Sequence, residues 1–360
     1  MKLFFQVILD IYCKKYSALS NRLLKSILIL MLLSGCSKKE DSNLPDEIRL
    51  GFMPDFTHAQ AFVGVEKKHY ALNLKGVKIS PKAYLTGATI MRDIIGAELD
   101  FAFVDPVSAI VSFSRRSDNT FKIVAGVSSG GVLFVAQRNI PPGFISKFQG
   151  KSVAVPEING SQHVSFRDFL RAKLPGNSDG IASINITPLD RNELMNSFIS
   201  GIIVGAWYPE PWASKLIMEG KGYAYVNESS LWTKSIFASA VLICRSDFMR
   251  EYPDAVDRFL KAHVSTTIWI RSNKTETLEI LSKGVTALTG ESISKQTANK
   301  AYGNFVPTYD PVKPSLLKYA AKANKLGLIS GKNIESIFEF APIDTILKYE
   351  NLPPIKMIIN

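Results

Sequence analysis

The 360-residue chain carries 43 Lys and Arg against 32 Asp and Glu, a formal charge of +11, with 46% hydrophobic and 21% charged residues. That composition is ordinary for a globular protein, gives no indication of disorder, and allows two domains with separate cores. The basic excess forms no Lys/Arg block interleaved with aromatics, which argues against nucleic acid, and three cysteines do not make a disulfide framework.

In chain order, the first signal is the apolar run Ser26-Ile-Leu-Ile-Leu-Met-Leu-Leu33, preceded by Arg22 and Lys25 and followed by Ser34-Gly35-Cys36. A basic region, a short apolar region and small residues before a cleavage point make an export signal. Leu33-Ser34-Gly35-Cys36 reads as a lipobox, cut before Cys36, whose thiol carries diacylglycerol. The alternatives are a plain secretory peptide or a short buried helix. The run is far shorter than the roughly 20 apolar residues that span a bilayer, whereas two acyl chains anchor stably. Residues 1–35 are therefore expected to be a lipoprotein signal peptide and residues 36–46 a flexible tether to a bacterial membrane. Removing the signal lowers the formal charge to about +7. Cys13 leaves with it, and Cys244, in the strand-like Ser239-Ala-Val-Leu-Ile-Cys244, reads as a buried inert thiol. His58, His69, His163 and His263 are too scattered for a metal site, and no cofactor is expected.

Alternating apolar residues predict a strand at Ile48–Phe52, followed by a helix from about His58 to Lys68. A strand near Val77–Ile79 leads through Thr86-Gly87-Ala88-Thr89 into a helix with Ile90, Ile94 and Ile95 inward. Phe101–Val104 is a strand that runs into Asp105-Pro106, a helix start with Pro at its first position. Strands follow at Phe121–Val127 and Val132–Ala136. A second series has strands at Lys151–Pro156, Ile184–Thr187 and Ile202–Ala206, with helices opening at Asn159-Gly160-Ser161-Gln162 and spanning Asn192–Ser200. Ser239–Ile243 reads as a return strand, Pro253–Ser272 as a long helix, and the remainder as mainly helical. Strands alternating with helices indicate β-α-β units and parallel sheets. The expected fold is α/β with two lobes: 47–136 with 237–345, and 137–236, leaving 346–360 as a tail. Crossing strands are expected near Val132–Arg138 and Ser239–Arg245.

Ligands of open α/β sheets bind at the carboxyl ends of the strands. The loops there are Thr57-His58, Thr86-Gly87-Ala88-Thr89, Ser128-Ser129-Gly130-Gly131 and Asn159-Gly160-Ser161-Gln162. Helix starts among them expose unpaired N–H groups beside a positive dipole end, which suits an oxyanion; the same residues are also good helix caps. Their recurrence on both lobes favours an anion site. Trp207 and Trp212 flank Pro209-Glu210-Pro211. Trp207 belongs either to the core or to the solute's alkyl part, and Glu210 is expected to hold inter-lobe geometry rather than touch an anion.

Gly51-Phe-Met-Pro-Asp-Phe-Thr-His-Ala59, Val63-Gly-Val-Glu-Lys-Lys68 and Leu99-Asp-Phe-Ala-Phe-Val-Asp-Pro106 form an ordered series. It continues through Ile123-Val-Ala-Gly-Val-Ser-Ser-Gly-Gly131, Gly160-Ser-Gln-His-Val-Ser-Phe-Arg167, Gly205-Ala-Trp-Tyr-Pro-Glu-Pro-Trp212, Leu231-Trp232 and Tyr309-Asp-Pro311. The series resembles the sulfonate/nitrate/taurine substrate-binding proteins of ABC importers, closest to the aliphatic-sulfonate binders, over nearly all of residues 47–345. The resemblance implies a type II periplasmic-binding-protein fold closing over a small anionic or zwitterionic solute for delivery to a permease and its ATPase. It implies a monomeric receptor, not an enzyme. Alternatives are a binder of nitrate, bicarbonate or a pyrimidine precursor, or a periplasmic sensor.

Two departures stand out. Asp105 replaces the glycine of a usual Val-Gly-Pro, and Asn159-Gly160-Ser161-Gln162-His163 replaces Gly-Asn-Thr-Gln-Asp. Asp105 either caps a helix or faces the cleft, where it favours an ammonium; His163 offers a compensating positive charge. The candidate ligand residues are thus Thr57, His58, Thr86, Gly87, Asp105, Ser128, Ser129 and Gly130 from one lobe. The other lobe offers Ser161, Gln162, His163, Trp207 and Glu210.

Overall fold

The computed structural model describes residues 43–116, 119–176, 178–330 and 333–355. The export signal, the lipobox and Cys36 lie outside them. β1 (Glu47–Phe52) runs through a 3-10 turn into α1 (Ala59–Glu66) and α2 (His69–Asn73). β2 (Lys78–Ala83), α3 (Gly87–Ile95), β3 (Phe101–Val104), α4 (Pro106–Ser114) and β4 (Phe121–Gly130) follow. The middle of the chain holds β5 (Val132–Ala136), β6 (Ser152–Val155), α5 (Ser161–Lys173), α6 (Ser178–Ala182) and β7 (Asn185–Pro188). It continues with α7 (Arg191–Ile199), β8 (Gly205–Pro209), α8 (Trp212–Met218) and β9 (Tyr223–Asn227). The return is β10 (Ala238–Arg245), α9 (Ser246–Glu251), α10 (Pro253–Ser272), α11 (Lys274–Thr289) and α12 (Lys295–Tyr302). β11 (Phe305–Pro307), α13 (Lys313–Lys325) and α14 (Ala341–Tyr349) complete it.

The strands form two sheets, in the orders β11-β4-β10-β3-β1-β2 and β7-β6-β8-β5-β9. β1, β2 and β3 are parallel, as are β6, β7 and β8. Each parallel trio is joined on one side by an antiparallel strand, β10 in the first sheet and β5 in the second. Helices connecting the parallel strands all start at strand carboxyl ends, so both sheets deliver helix N-termini to one edge.

Two connections cross between the sheets, at places the residue pattern does not mark. β5 pairs on both sides within the second sheet, so the first changeover falls at Gly130-Gly131 and not after 136. Both glycines have positive φ (76° and 72°), a turn in which any side chain is strained. β10 likewise lies wholly inside the first sheet, and the return crossing is the irregular stretch 228–237. The expected tail from 346 is instead partly folded: α14 runs to Tyr349, with Leu347 and Ile355 buried.

Trp207 is fully buried, its ring stacked on Phe134 at 5.3 Å and packed against Phe166 and Phe169. Its indole N–H donates to Glu228 Oε2 at 2.6 Å. This places it in the core of the second lobe, not against a solute. Glu228 also accepts from Ser165 Oγ (2.5 Å), Tyr319 Oη (3.0 Å) and Trp232 Nε1 (3.3 Å), so one buried carboxylate joins α5, α13 and the return crossing. Cys244 is buried in β10, and burial pushes its thiol well above the ordinary range, which makes it unreactive. Among the described residues no helix is long and apolar enough to cross a membrane.

Because Trp207 is a core residue, Trp207→Ala is expected to destabilise the protein by about 3–5 kcal/mol. Urea unfolding followed by circular dichroism measures this; a loss below about 1 kcal/mol contradicts the placement.

Candidate functional site

Each parallel strand delivers a polar group to the edge where the two sheets face each other. β1 is followed by Asp55 and β7 by Arg191, the first residue of α7. Arg191 Nε and Nη2 donate to Asp55 Oδ1 (2.9 Å) and Oδ2 (2.7 Å), both side chains being at most 3% exposed. Arg191 Nη1 donates to the Leu85 carbonyl after β2 (2.7 Å), and Trp212 Nε1 donates to Asp55 Oδ1 (2.6 Å). The pair is bidentate, buried and further satisfied on both sides, the geometry in which a buried ion pair is tolerated.

Asp105 follows β3 and does two things at once. Its Oδ1 accepts the Ser108 N–H (3.1 Å) as the cap of α4, and also the Ser161 N–H (3.0 Å) and Ser161 Oγ (2.6 Å) at the start of α5. Ser161 Oγ in turn accepts the Val107 N–H at 3.0 Å. The N-termini of α4 and α5, one from each lobe, therefore meet around a single carboxylate. Asp105 Oδ2 is buried without a partner. It lies over the first turn of α3: a Cβ added to Gly87 would come within 2.3 Å of it. Only glycine permits that approach.

Glu157, between β6 and α5, reaches the other way. Its carboxylate accepts the N–H groups of Gly87 (2.9 Å) and Ala88 (3.2 Å) at the start of α3, and Ser108 Oγ donates to it at 3.2 Å. Burial and the nearby Asp105 carboxylate outweigh these hydrogen bonds and push the Glu157 carboxyl up to about 7. His58 completes the group. The Met53 N–H donates to its Nδ1 at 3.2 Å, which leaves the proton on Nε2, a buried donor without a partner. Burial pushes His58 down to about 4, so the ring is neutral near pH 7. With Thr57, Gln162 and Ser239 these side chains line a cavity of about 10 Å³, the limit for one water.

Of the residues singled out from sequence, Thr57, His58, Asp105 and Gln162 line this cavity, while Gly87 and Ser161 bind its carboxylates. Thr86 caps α3, its Oγ1 accepting the Thr89 N–H at 3.3 Å. Ser128, Ser129 and Gly130 are strand residues and open no helix. Ser128 Oγ donates to the Thr57 carbonyl, Ser129 Oγ accepts the Phe237 N–H, and the Gly130 N–H donates to the Phe237 carbonyl. His163 lies outside the cavity. Its Nδ1 accepts the Asn159 N–H, and burial together with Arg167 pushes it down to about 4, so it supplies no positive charge near neutral pH. Glu210 is buried and accepts from Ser214 N (2.9 Å), Ser214 Oγ (2.8 Å) and Asn304 Nδ2 (2.6 Å). Its backbone carbonyl accepts the Phe56 N–H at 2.8 Å, so it links the lobes.

Sequence reasoning missed Asp55, Glu157 and Arg191. Each lies two or three residues beyond a strand end, at Pro54-Asp55, Pro156-Glu157 and Asp190-Arg191, and that position was the available signal. Among the described residues no cluster of His, Cys, Asp and Glu is placed to hold a metal ion.

A cleft between two such sheets, lined by helix starts from both, defines a type II solute-binding-protein fold. The sequence profile of the NMT1-like family matches residues 41–284, and the chain belongs to that family. A provisionally named aliphatic sulfonates-binding protein of Bacillus subtilis (strain 168) is 25% identical over 266 residues, covering 71% of this chain and 76% of the relative. The periplasmic aliphatic sulphonate binding protein of Escherichia coli superposes with a TM-score of 0.67 at 13% identity, over 88% of this chain and 95% of its own. The periplasmic nitrate-binding protein of Synechocystis PCC 6803 gives 0.69 at 14% identity, over 86% and 90%. The resemblance read from the ordered motifs is thereby confirmed.

The raised Glu157 pKa has a definite sign. Between its ordinary value of 4.5 and about 7 the folded state holds a proton that the unfolded chain has lost. The Glu157 contribution is therefore full at low pH and falls as pH rises through that window. His58, His163 and His263, all pushed down to about 4, act in the opposite direction as pH falls, so the difference between wild type and Glu157→Gln is the informative quantity. Urea midpoints are expected to favour wild type progressively less from pH 4.5 to 7; a pH-independent difference contradicts the assignment.

Proposed function

We propose that the chain is the solute-binding component of an ABC importer, held at the membrane by lipid on Cys36. It captures a zwitterionic solute of the aminosulfonate class, such as taurine, by closure of its two lobes. Asp105 is the observation that carries the solute class. One of its oxygens is fixed between two helix starts, and the other stands unpartnered in the cavity beside a third. Helix N-termini favour an acidic group, whereas the free carboxylate oxygen favours an ammonium or N–H donor. A zwitterion satisfies both. A plain alkanesulfonate leaves the aspartate unpaired, which costs on the order of 1–3 kcal/mol, and nitrate likewise offers it no donor. The binding-protein names of the relatives support a receptor rather than a catalyst. The leader pattern before Cys36 supports an exported, anchored protein, and delivery to a permease follows from that reading.

Calorimetric titration tests the solute class. Wild type is expected to prefer taurine over ethanesulfonate by about one to two decades, and Asp105→Gly to erase that preference. Equal selectivity in both proteins reduces Asp105 to a structural cap. Anchoring is tested separately: Cys36→Ala should give an unprocessed precursor that takes up no labelled palmitate, and labelling equal to wild type refutes the lipobox.

A further inference from the structure

Two carboxylates cross the cleft in opposite directions. Asp105, from the first lobe, sits on the start of α5 in the second; Glu157, from the second lobe, sits on the start of α3 in the first. The backbone N–H groups of Gly87 and Ala88, which suit a solute's acidic group, are thus already engaged by a carboxyl side chain of the same protein. The remaining cavity of about 10 Å³ is too small for any organic solute. Occupancy of the closed cleft therefore requires a side chain to leave, and Glu157 is the one whose surroundings allow it. Its loop borders solvent, with Ile158 42% exposed, and Asn159 has a left-handed φ of 69°. Asp105, by contrast, is 3% exposed and anchored as the cap of α4.

We infer that Glu157 is a built-in competitor for the solute's acidic group: the protein closes on its own carboxylate, and the solute binds by displacing it from the start of α3. The inference rests on the proposed solute class for its binding arm only. Buried Asp105 Oδ2 and His58 Nε2, both without partners, mark where the rest of the solute meets the protein, as acceptor and donor respectively. Because Glu157 is tethered, it competes at an effective concentration on the order of millimolar, so a weakly binding anion does not displace it. A zwitterion gains from Asp105 what is lost in the exchange. Glu157 is in this sense a specificity-determining residue that discriminates against simple anions.

Small-angle scattering of the ligand-free proteins and calorimetry with taurine and ethanesulfonate test the two halves. Wild type is expected to be compact without solute, and Glu157→Ala to be expanded until taurine is added. Ethanesulfonate should bind Glu157→Ala at least about tenfold more tightly than wild type, the competitor being gone. Glu157→Gln, which keeps the shape but not the charge, should fall between and serves if Glu157→Ala does not fold. A Glu157 variant as compact as wild type, a wild type already expanded without solute, or unchanged ethanesulfonate affinity overturns the inference. If neither compound binds any protein, the solute class has failed, and scattering alone still decides whether Glu157 holds the lobes together.

Discussion

The interaction on which the rest of the site depends is the buried pair of Asp55 and Arg191. It joins the carboxyl end of β1 to the first turn of α7, one element from each lobe. A guanidinium matches a carboxylate edge to edge, and a buried cation and anion of such geometry are costly to separate one at a time, about 3–5 kcal/mol when either partner is lost. The Leu85 carbonyl and the Trp212 indole occupy positions that would otherwise be unsatisfied. With that distance fixed, α3 can face the loop after β6, and α4 can face α5. The hydrogen bonds of Asp105 and Glu157 span the same cleft between the two edges that Asp55 and Arg191 join.

The helix starts that this arrangement gathers behave as their physics requires. Each exposes N–H groups at the positive end of a dipole, and each finds a carboxyl group. The carboxyl groups are the protein's own. Placing two acids side by side away from water is unfavourable for both, and the upward push on Glu157 is the visible sign of that cost. A site held shut in this way selects through the difference between what it releases and what it admits, not through the number of contacts it offers.

The parallel framework was legible because its signals are local. The period-two apolar run at Ile48–Phe52, the short continuous apolar run at Phe101–Val104, and Pro106 at a helix start need no knowledge of the rest of the chain. β9 and β11 escaped notice because they are short edge strands, with Tyr223 and Val306 partly open to solvent. The Gly130-Gly131 changeover was read as an anion loop because glycine and serine serve helix caps, turns and strand ends alike. Asp105 is ambiguous in the sequence, and in the structure it both caps α4 and lines the cavity. Glu157 and Arg191 could not be weighed in the same way. A lone acid or base after a strand is ordinary surface chemistry until the partner, 70 residues from Glu157 and 136 from Arg191, is known. The charge expected of His163 failed for a related reason: burial, which is not visible locally, keeps the ring neutral, aided by Arg167 one turn on in the same helix.

The strand orders carry a consequence for assembly of the chain. Every strand of the second sheet lies between residues 132 and 227, so that sheet closes from one continuous stretch. The first sheet does not. β10 lies between β3 and β4, which have no direct pairing, so its halves stay separate until residues 238–245 arrive. A chain that emerges amino end first can therefore complete its inserted lobe while the lobe that starts it is still two unjoined pieces. The lobe that begins second can thus be complete first, and the last central strand to arrive is the one that makes the opposing wall of the cleft whole.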